Sequence, residues 1–94
     1  MVVGICTLEL FLPGNDSLKD KRNVLKPLVV RMRREFNVSV AEVGDQDRWR
    51  SATLGVAAVS NDQAYLHGLF EKLVAWVESS HLAVEVVDWQ IEFV

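Results

Sequence analysis

The chain has 94 residues, half of them hydrophobic and 24% charged, with a formal net charge of −3. These values predict one domain over residues 1–94 with a modest core, and they argue against disorder and against general binding of polyanions. No apolar run approaches the ~20 residues of a membrane span, and the first residues lack the basic flank of a secretory signal. With a single cysteine, Cys6, no internal disulfide forms, so we expect a cytoplasmic protein without a membrane partner.

The first half of the chain predicts a strand, a long helix and a short strand. Side chains alternate over residues 2–12, which is the period of a strand. The turn sequence PGND follows, and Ser17 is the predicted N-cap of a helix over residues 18–36. Pro27 lies inside this pattern, but the apolar face keeps its phase on both sides, so we predict one kinked helix. Residues 38–43 form the second predicted strand.

The second half predicts a strand, a helix and a final strand. A polar loop covers residues 44–50, and alternation from Ala52 to Val59 predicts the third strand. Residues 60–63, SNDQ, match a capping box, so Ser60 is the predicted N-cap of a second helix that ends near residues 79–81. The final strand covers residues 83–93, and the side chains predicted to face the core are Val87, Trp89, Ile91 and Phe93.

The element order βαββαβ predicts a ferredoxin-like α+β sandwich, with strands 1 and 3 in the centre of a four-stranded antiparallel sheet and two helices on one face. The other face stays open. It lacks the aromatic platform of an RNA-recognition motif, and its small and aliphatic side chains suit contact with another protein surface. We therefore predict a homodimer through this face, formed by Val3, Ile5, Thr53, Gly55 and Ala57.

Several stretches resemble a family of small bacterial proteins of unknown function, the YlxP-like family. They are SLKDKR at residues 17–22, FNVSVAEV at residues 36–43, the loop with Asp47 and Trp49, and AAVSND at residues 57–62. The resemblance covers essentially the whole chain and implies a ferredoxin-like fold in a bacterial cytoplasmic protein. Members are often encoded beside translation and ribosome-maturation factors, which implies RNA or the ribosome as a partner. No catalytic residues are established for the family, so none is carried over.

A basic stripe is the main functional signal. Seven of the ten Lys and Arg residues lie between Lys19 and Arg34, on the first predicted helix. At 100° per residue, Lys19, Arg22, Lys26 and Arg33 fall within about 60° of arc. Together with Lys21, they are the predicted phosphate contacts of an RNA partner. The alternative is a solvated helix face whose long side chains also cover the edge of the core.

Two further candidates flank this helix. The turn over residues 13–17 presents backbone N–H groups beside basic side chains, which predicts a site for one phosphate or, alternatively, ordinary helix capping. In the loop, Arg48, Trp49 and Arg50 place an aromatic ring between two guanidinium groups. Such a group predicts base stacking with adjacent phosphate contacts, whereas the alternative is that Trp49 covers the sheet or fills a subunit contact.

No pattern predicts an enzyme, a cofactor or a metal. His67 and His81 are solitary, Cys6 lies on the apolar side of the first strand, and no ligand set has metal-binding spacing. We therefore predict a non-catalytic accessory protein of translation that contacts RNA or the ribosome through the first helix. The alternative is a homo-oligomeric binding or regulatory module whose open sheet face meets a small ligand or a protein.

Overall fold

Six elements follow one another in the predicted order. The computed structural model describes residues 1–94, and its elements are β1 (Val2–Phe11), α1 (Leu18–Phe36), β2 (Ser39–Gly44), β3 (Ser51–Ser60), α2 (Gln63–Glu78) and β4 (Glu85–Phe93). The strands form one sheet in the order β2-β3-β1-β4, and all neighbours are antiparallel. The predicted ferredoxin-like α+β fold is therefore confirmed. Neither helix combines the length and the apolar character that crossing a membrane would require.

The core lies between the helices and one face of the sheet. β1 and β3 pair from Val2 opposite Ser60 to Phe11 opposite Ser51, so their alternating side chains share the same two faces. On the covered face, 17 buried hydrophobic residues form a single cluster. α1 packs beside β2, whereas α2 lies over β1, β3 and β4. The opposite face of the sheet carries no helix and remains open.

Local signals set both ends of α1. The Ser17 hydroxyl accepts a hydrogen bond from the Asp20 N–H at 3.1 Å, and the Asp20 carboxylate accepts one from the Asp16 N–H at 2.9 Å. The helix continues through Pro27 without interruption. It ends at Asn37, which adopts the left-handed conformation (φ 49°) and donates its N–H to the Arg33 carbonyl at 3.2 Å.

The N-cap of α2 differs from the predicted one. The residue is Asp62, whose carboxylate accepts hydrogen bonds from the N–H groups of Ala64 and Tyr65 at 3.0 and 3.3 Å. The hydroxyl of Ser60, the predicted cap, instead accepts a hydrogen bond from the Asp62 N–H at 3.1 Å. The reason is that β3 continues as far as Ser60, so the helix begins only at Gln63.

β4 also differs from the prediction. Its register against β1 shifts at a bulge, which leaves Val87 exposed. An extra residue in a bulge moves the following side chain to the other face, so Val86 occupies the core position that simple alternation assigns to Val87. Ile91 and Phe93 pack against the core as predicted. Trp89 lies on an edge strand and is partly exposed.

Candidate functional site

Most of the predicted cationic stripe lies on the exposed side of α1. Lys19, Arg22, Lys26 and Arg33 are all exposed. None of the four ion pairs within the chain includes them. Their positive charges are therefore not cancelled by carboxylates of the same chain, and they remain available to an external anion.

Lys21 departs from this group. It is only 2% exposed, and its Nζ lies 2.7 Å from Glu42 Oε2 and donates to the Asp45 carbonyl at 2.6 Å. Along the helix it lies four residues before Leu25, on the buried side that also includes Leu28. Lys21 is therefore neutralised beneath the helix, and we remove it from the predicted phosphate contacts. The position of Lys21 on the apolar stripe can be seen in the sequence. The prediction missed it because it treated Lys21 as one member of a run of basic residues.

Lys21 and Glu42 form an ion pair without a hydrogen bond between them. Glu42 Oε2 accepts no hydrogen bond despite its short distance to Nζ, so the contact is an ion pair whose angles fall outside those of a hydrogen bond. Asp45, which supplies the carbonyl, has a left-handed backbone conformation with φ 60°. The arrangement joins α1 to the end of β2 and to the loop that follows.

Arg33 is exposed but held in place. Its Nη2 donates to the carbonyl of Val40 on the edge strand β2 at 2.7 Å. A guanidinium has five N–H donors, and the structure records no other hydrogen bond from this one. Arg33 therefore presents a positioned group with free donors beside β2.

The loop with Arg48, Trp49 and Arg50 lies against the turn that precedes α1. Arg50 Nε donates to the Asn15 carbonyl at 2.9 Å, and the Asn15 side chain donates to the Trp49 carbonyl at 3.2 Å. Trp49 is 52% exposed, so it does not enter the core. Arg50 lies 3.3 Å from the Asp16 carboxylate and Arg48 lies 3.6 Å from that of Asp45. Both guanidinium groups therefore have carboxylate partners within the chain.

The turn before α1 shows the features of an ordinary helix cap. The side chains of Ser17 and Asp20 accept hydrogen bonds from the N–H groups of Asp20 and Asp16, respectively. The predicted phosphate site would have needed these N–H groups as donors. The carboxylates of Asp16 and Asp20 also place negative charge where that phosphate would lie. Capping, the alternative stated for this turn, accounts for its geometry.

A groove of about 360 Å³ lies between α1 and β2, along the basic stripe. Arg22, Lys26 and Arg33 line it beside aliphatic residues of α1 and Leu54 of β3, and Glu42 lines it from β2. The groove has no counterpart in the sequence pattern, because it forms only when helix and strand pack together. The repeat of aliphatic residues along α1 gives no separate signal for it.

The open sheet face carries the residues predicted for self-association. Val3, Ile5, Thr53 and Ala57 are partly buried on this face. Gly55 lies beneath Val43, whose Cγ1 would be 3.1 Å from a Cβ at that glycine. Val43 and Val59 are exposed on the same side of the sheet.

The cysteine and the two histidines lie outside the surfaces described above. Cys6 is fully buried, and its removal from water raises the pKa of the thiol from 9.0 to about 11. His67 and His81 are exposed, and His67 Nδ1 lies 3.0 Å from the Glu71 carboxylate one turn later. No group of three or more His, Cys, Asp or Glu side chains has the arrangement of a metal site.

Comparisons with known proteins agree with the resemblance seen in the sequence. Residues 3–91 match a family model described as a protein of unknown function (DUF503). The chain is 35% identical over 78 residues to an uncharacterized protein, YlxP, from Bacillus subtilis (strain 168), and the match covers 83% of this chain and 85% of the relative. Both the match to the family model and the identity span most of the chain. The matched region extends from β1 into β4. The chain therefore belongs to the DUF503 family.

Proposed function

We propose that this chain is a non-catalytic accessory protein of the cytoplasm that contacts RNA, alone or in the ribosome, through the exposed cations of α1. The observation that supports this proposal is the placement of Lys19, Arg22, Lys26 and Arg33 on one exposed side of one helix without carboxylate partners. Pairing within the chain would have cancelled their attraction for phosphate. The buried, protonated Cys6 thiol fits a role in the core rather than in catalysis.

The stripe has a length suited to a polyanion. Arg33 lies fourteen positions after Lys19, which corresponds to about 21 Å along the helix axis at 1.5 Å per residue. Charges spread over this length reach several successive phosphates, whereas a single small anion would meet only part of the stripe. Binding of this kind releases counterions and weakens steeply with added salt.

Trp49 extends the proposed surface toward the start of α1. Its exposed ring lies in the loop that Asn15 and Arg50 tie to the turn before the helix. An exposed indole offers a stacking surface for an unpaired base. Because Arg48 and Arg50 already have carboxylate partners, we leave them out of the proposed phosphate contacts.

The test is a charge-matched pair of variants. In the first, Lys19, Arg22, Lys26 and Arg33 are replaced by Gln. In the control, Arg31, Arg34, Arg48 and Lys72, which are also exposed, are replaced by Gln. Each set removes four positive charges, so both variants carry a formal net charge of −7 instead of −3.

Affinity for labelled single-stranded RNA is measured by fluorescence anisotropy over a range of salt concentrations, after circular dichroism has verified folding. The stripe variant should bind more weakly, and the slope of log K against log salt should fall in magnitude by roughly 3, from about 0.7 for each lost phosphate contact. The control should keep most of the affinity. Unchanged RNA affinity in the stripe variant, or an equal loss in both variants, would contradict the proposal.

A second candidate function is that of a homo-oligomeric binding module, and the exposure of Val43 and Val59 beside Ala57 on the open face favours it. Sedimentation equilibrium should then show dimers in the micromolar range. Ala57→Glu should dissociate them, whereas Ala64→Glu, at an exposed position of α2, should not. A monomer at high micromolar concentration in the unmodified protein would rule this candidate out.

A further inference from the structure

The groove between α1 and β2 combines an aliphatic lining with positive charge. We propose that it binds a small amphipathic anion, a carboxylate or a phosphate monoester on an aliphatic body. This inference goes beyond RNA binding, because it concerns the groove and not the length of the stripe. It stands whether or not α1 contacts a nucleic acid.

The size and lining of the groove match the proposed ligand body. Its volume of about 360 Å³ lies at the small end of the range for ligand pockets, roughly 300–1,000 Å³. Leu18, Val29 and Val30 give it an accessible aliphatic lining, whereas Leu25 and Leu54 are almost fully buried at its wall, and no aromatic residue lines it. An aliphatic chain gains from contact with such a surface, whereas a planar ring finds no stacking partner.

The charge of the groove lining determines which head group the ligand should carry. Lys21, Arg22, Lys26 and Arg33 line the groove together with one carboxylate, that of Glu42, so the formal charge of the lining is +3. A ligand with a negative head is attracted to this surface. A neutral ligand with the same aliphatic body would gain only the apolar contact.

Arg33 is the group best placed to hold the head. Its hydrogen bond to the Val40 carbonyl, at 2.7 Å, fixes the guanidinium beside β2, and its remaining donors match the two oxygens of a carboxylate or a phosphate. Lys21 is unsuited to this part because Glu42 and the Asp45 carbonyl already contact its ammonium group. Val29 lies one helical turn before Arg33, so the aliphatic body would extend from the head toward Leu25.

Isothermal titration calorimetry with four probes separates the two parts of the ligand. Decanoate and decyl phosphate carry the head and the body, decanol carries the body alone, and acetate carries the head alone. We expect the first two to bind with Kd below about 1 mM and the last two at least tenfold more weakly. A preference between decanoate and decyl phosphate shows which of the two head groups the groove holds better.

Arg33→Gln should weaken decanoate binding about 10- to 100-fold, the factor expected for a lost hydrogen bond to a charged group. Arg31→Gln removes the same charge from the same helix but lies outside the groove lining, so it should change the Kd less than about threefold. Decanol binding as tightly as decanoate, equal effects of the two variants, or no binding of either anion near 1 mM would overturn the proposal. These outcomes do not depend on RNA affinity, so the failure of one proposal leaves the other to be judged separately.

Discussion

Glu42→Gln would leave a buried ammonium group without its counter-ion. The Lys21 side chain is 3% exposed, its Nζ lies 2.7 Å from Glu42 Oε2, and its hydrogen bond goes to the Asp45 carbonyl at 2.6 Å. Removing one partner of a buried ion pair costs about 3–5 kcal/mol. Because the Glu42 side chain is 29% exposed, water screens part of the pair, and we expect the lower end, about 3 kcal/mol.

The reciprocal variant, Lys21→Met, should cost less. The remaining Glu42 carboxylate is partly exposed and can be hydrated, and methionine suits the apolar stripe beside Leu25. We expect a loss of about 1 kcal/mol for Lys21→Met and nearly the same for the double variant with Glu42→Gln. The double-mutant cycle should therefore give a coupling of about 3 kcal/mol between the two side chains.

Urea unfolding followed by tryptophan fluorescence measures these differences. Glu42→Gln should lower the midpoint without changing the slope of free energy against urea, and it should lower the melting temperature by roughly 12–24 °C. The matched control is Glu71→Gln, which removes a carboxylate from the exposed pair with His67 and should change stability by less than about 0.5 kcal/mol. A loss below about 1 kcal/mol for Glu42→Gln, or equal losses for Glu42→Gln and Lys21→Met, would show that the buried ammonium group does not depend on its counter-ion.

Three further predictions concern the core and the end of α1. Gly4→Ala should cost about 1–3 kcal/mol in urea unfolding, because its Cβ would lie 2.7 Å from Phe70 Cε2, whereas Gly68→Ala meets no neighbour within 4 Å and should not destabilise. For Cys6, the unfolded thiol loses its proton near pH 9.0 and the folded one near 11, so the unfolded state binds fewer protons in this window. Stability should fall by up to about 3 kcal/mol as pH rises from 9 to 11, and Cys6→Ala should lack this component. Asn37→Val should cost about 1–2 kcal/mol because Asn37 has φ 49°, while Asn37→Gly should be nearly neutral; equal stability of the two variants would contradict this.

The elements that the sequence predicted well are those whose signals are local. Ser17 and Asn37 bound α1 through their own side-chain and backbone preferences, and the alternation of β1 needs no knowledge of its partner. The errors arose where a distant segment decides. The α2 cap moved to Asp62 because pairing with β1 extends β3 to Ser60, and the bulge at Val87 exists only in the register of β4 against β1.

The candidate site shows the same division between local and distant effects. Helical periodicity placed Arg22, Lys26 and Arg33 on one exposed side of α1, and the structure keeps them there. That periodicity also placed Lys21 on the buried side, but its partner Glu42 lies on another element, twenty-one positions away. Charge counting along the chain cannot detect such pairing. The groove likewise depends on α1 packing beside β2, which no single segment encodes.

The distribution of charge is compatible with the proposed binding of an anion by an acidic chain. α1 packs beside β2, whereas Glu85, Asp88 and Glu92 belong to β4 at the other edge of the sheet. Three strand spacings separate these edges, about 14 Å, which exceeds the Debye length of about 8 Å at 0.15 M salt. The cations of α1 therefore act on a nearby phosphate largely without opposition from β4.

At 0.01 M salt the Debye length reaches about 30 Å, and the net charge of −3 then opposes the approach of a polyanion. The rise of RNA affinity with falling salt should therefore flatten in this range instead of continuing on the slope set by phosphate contacts. Replacing Glu85, Asp88 and Glu92 with Gln brings the formal net charge to zero and should restore the slope. If the acidic edge were instead close enough to oppose α1 at all salt concentrations, the same replacements would raise RNA affinity equally at 0.01 M and 0.15 M. Comparing the two salt concentrations therefore tests whether the fold keeps the carboxylates of β4 beyond the reach of the cations of α1.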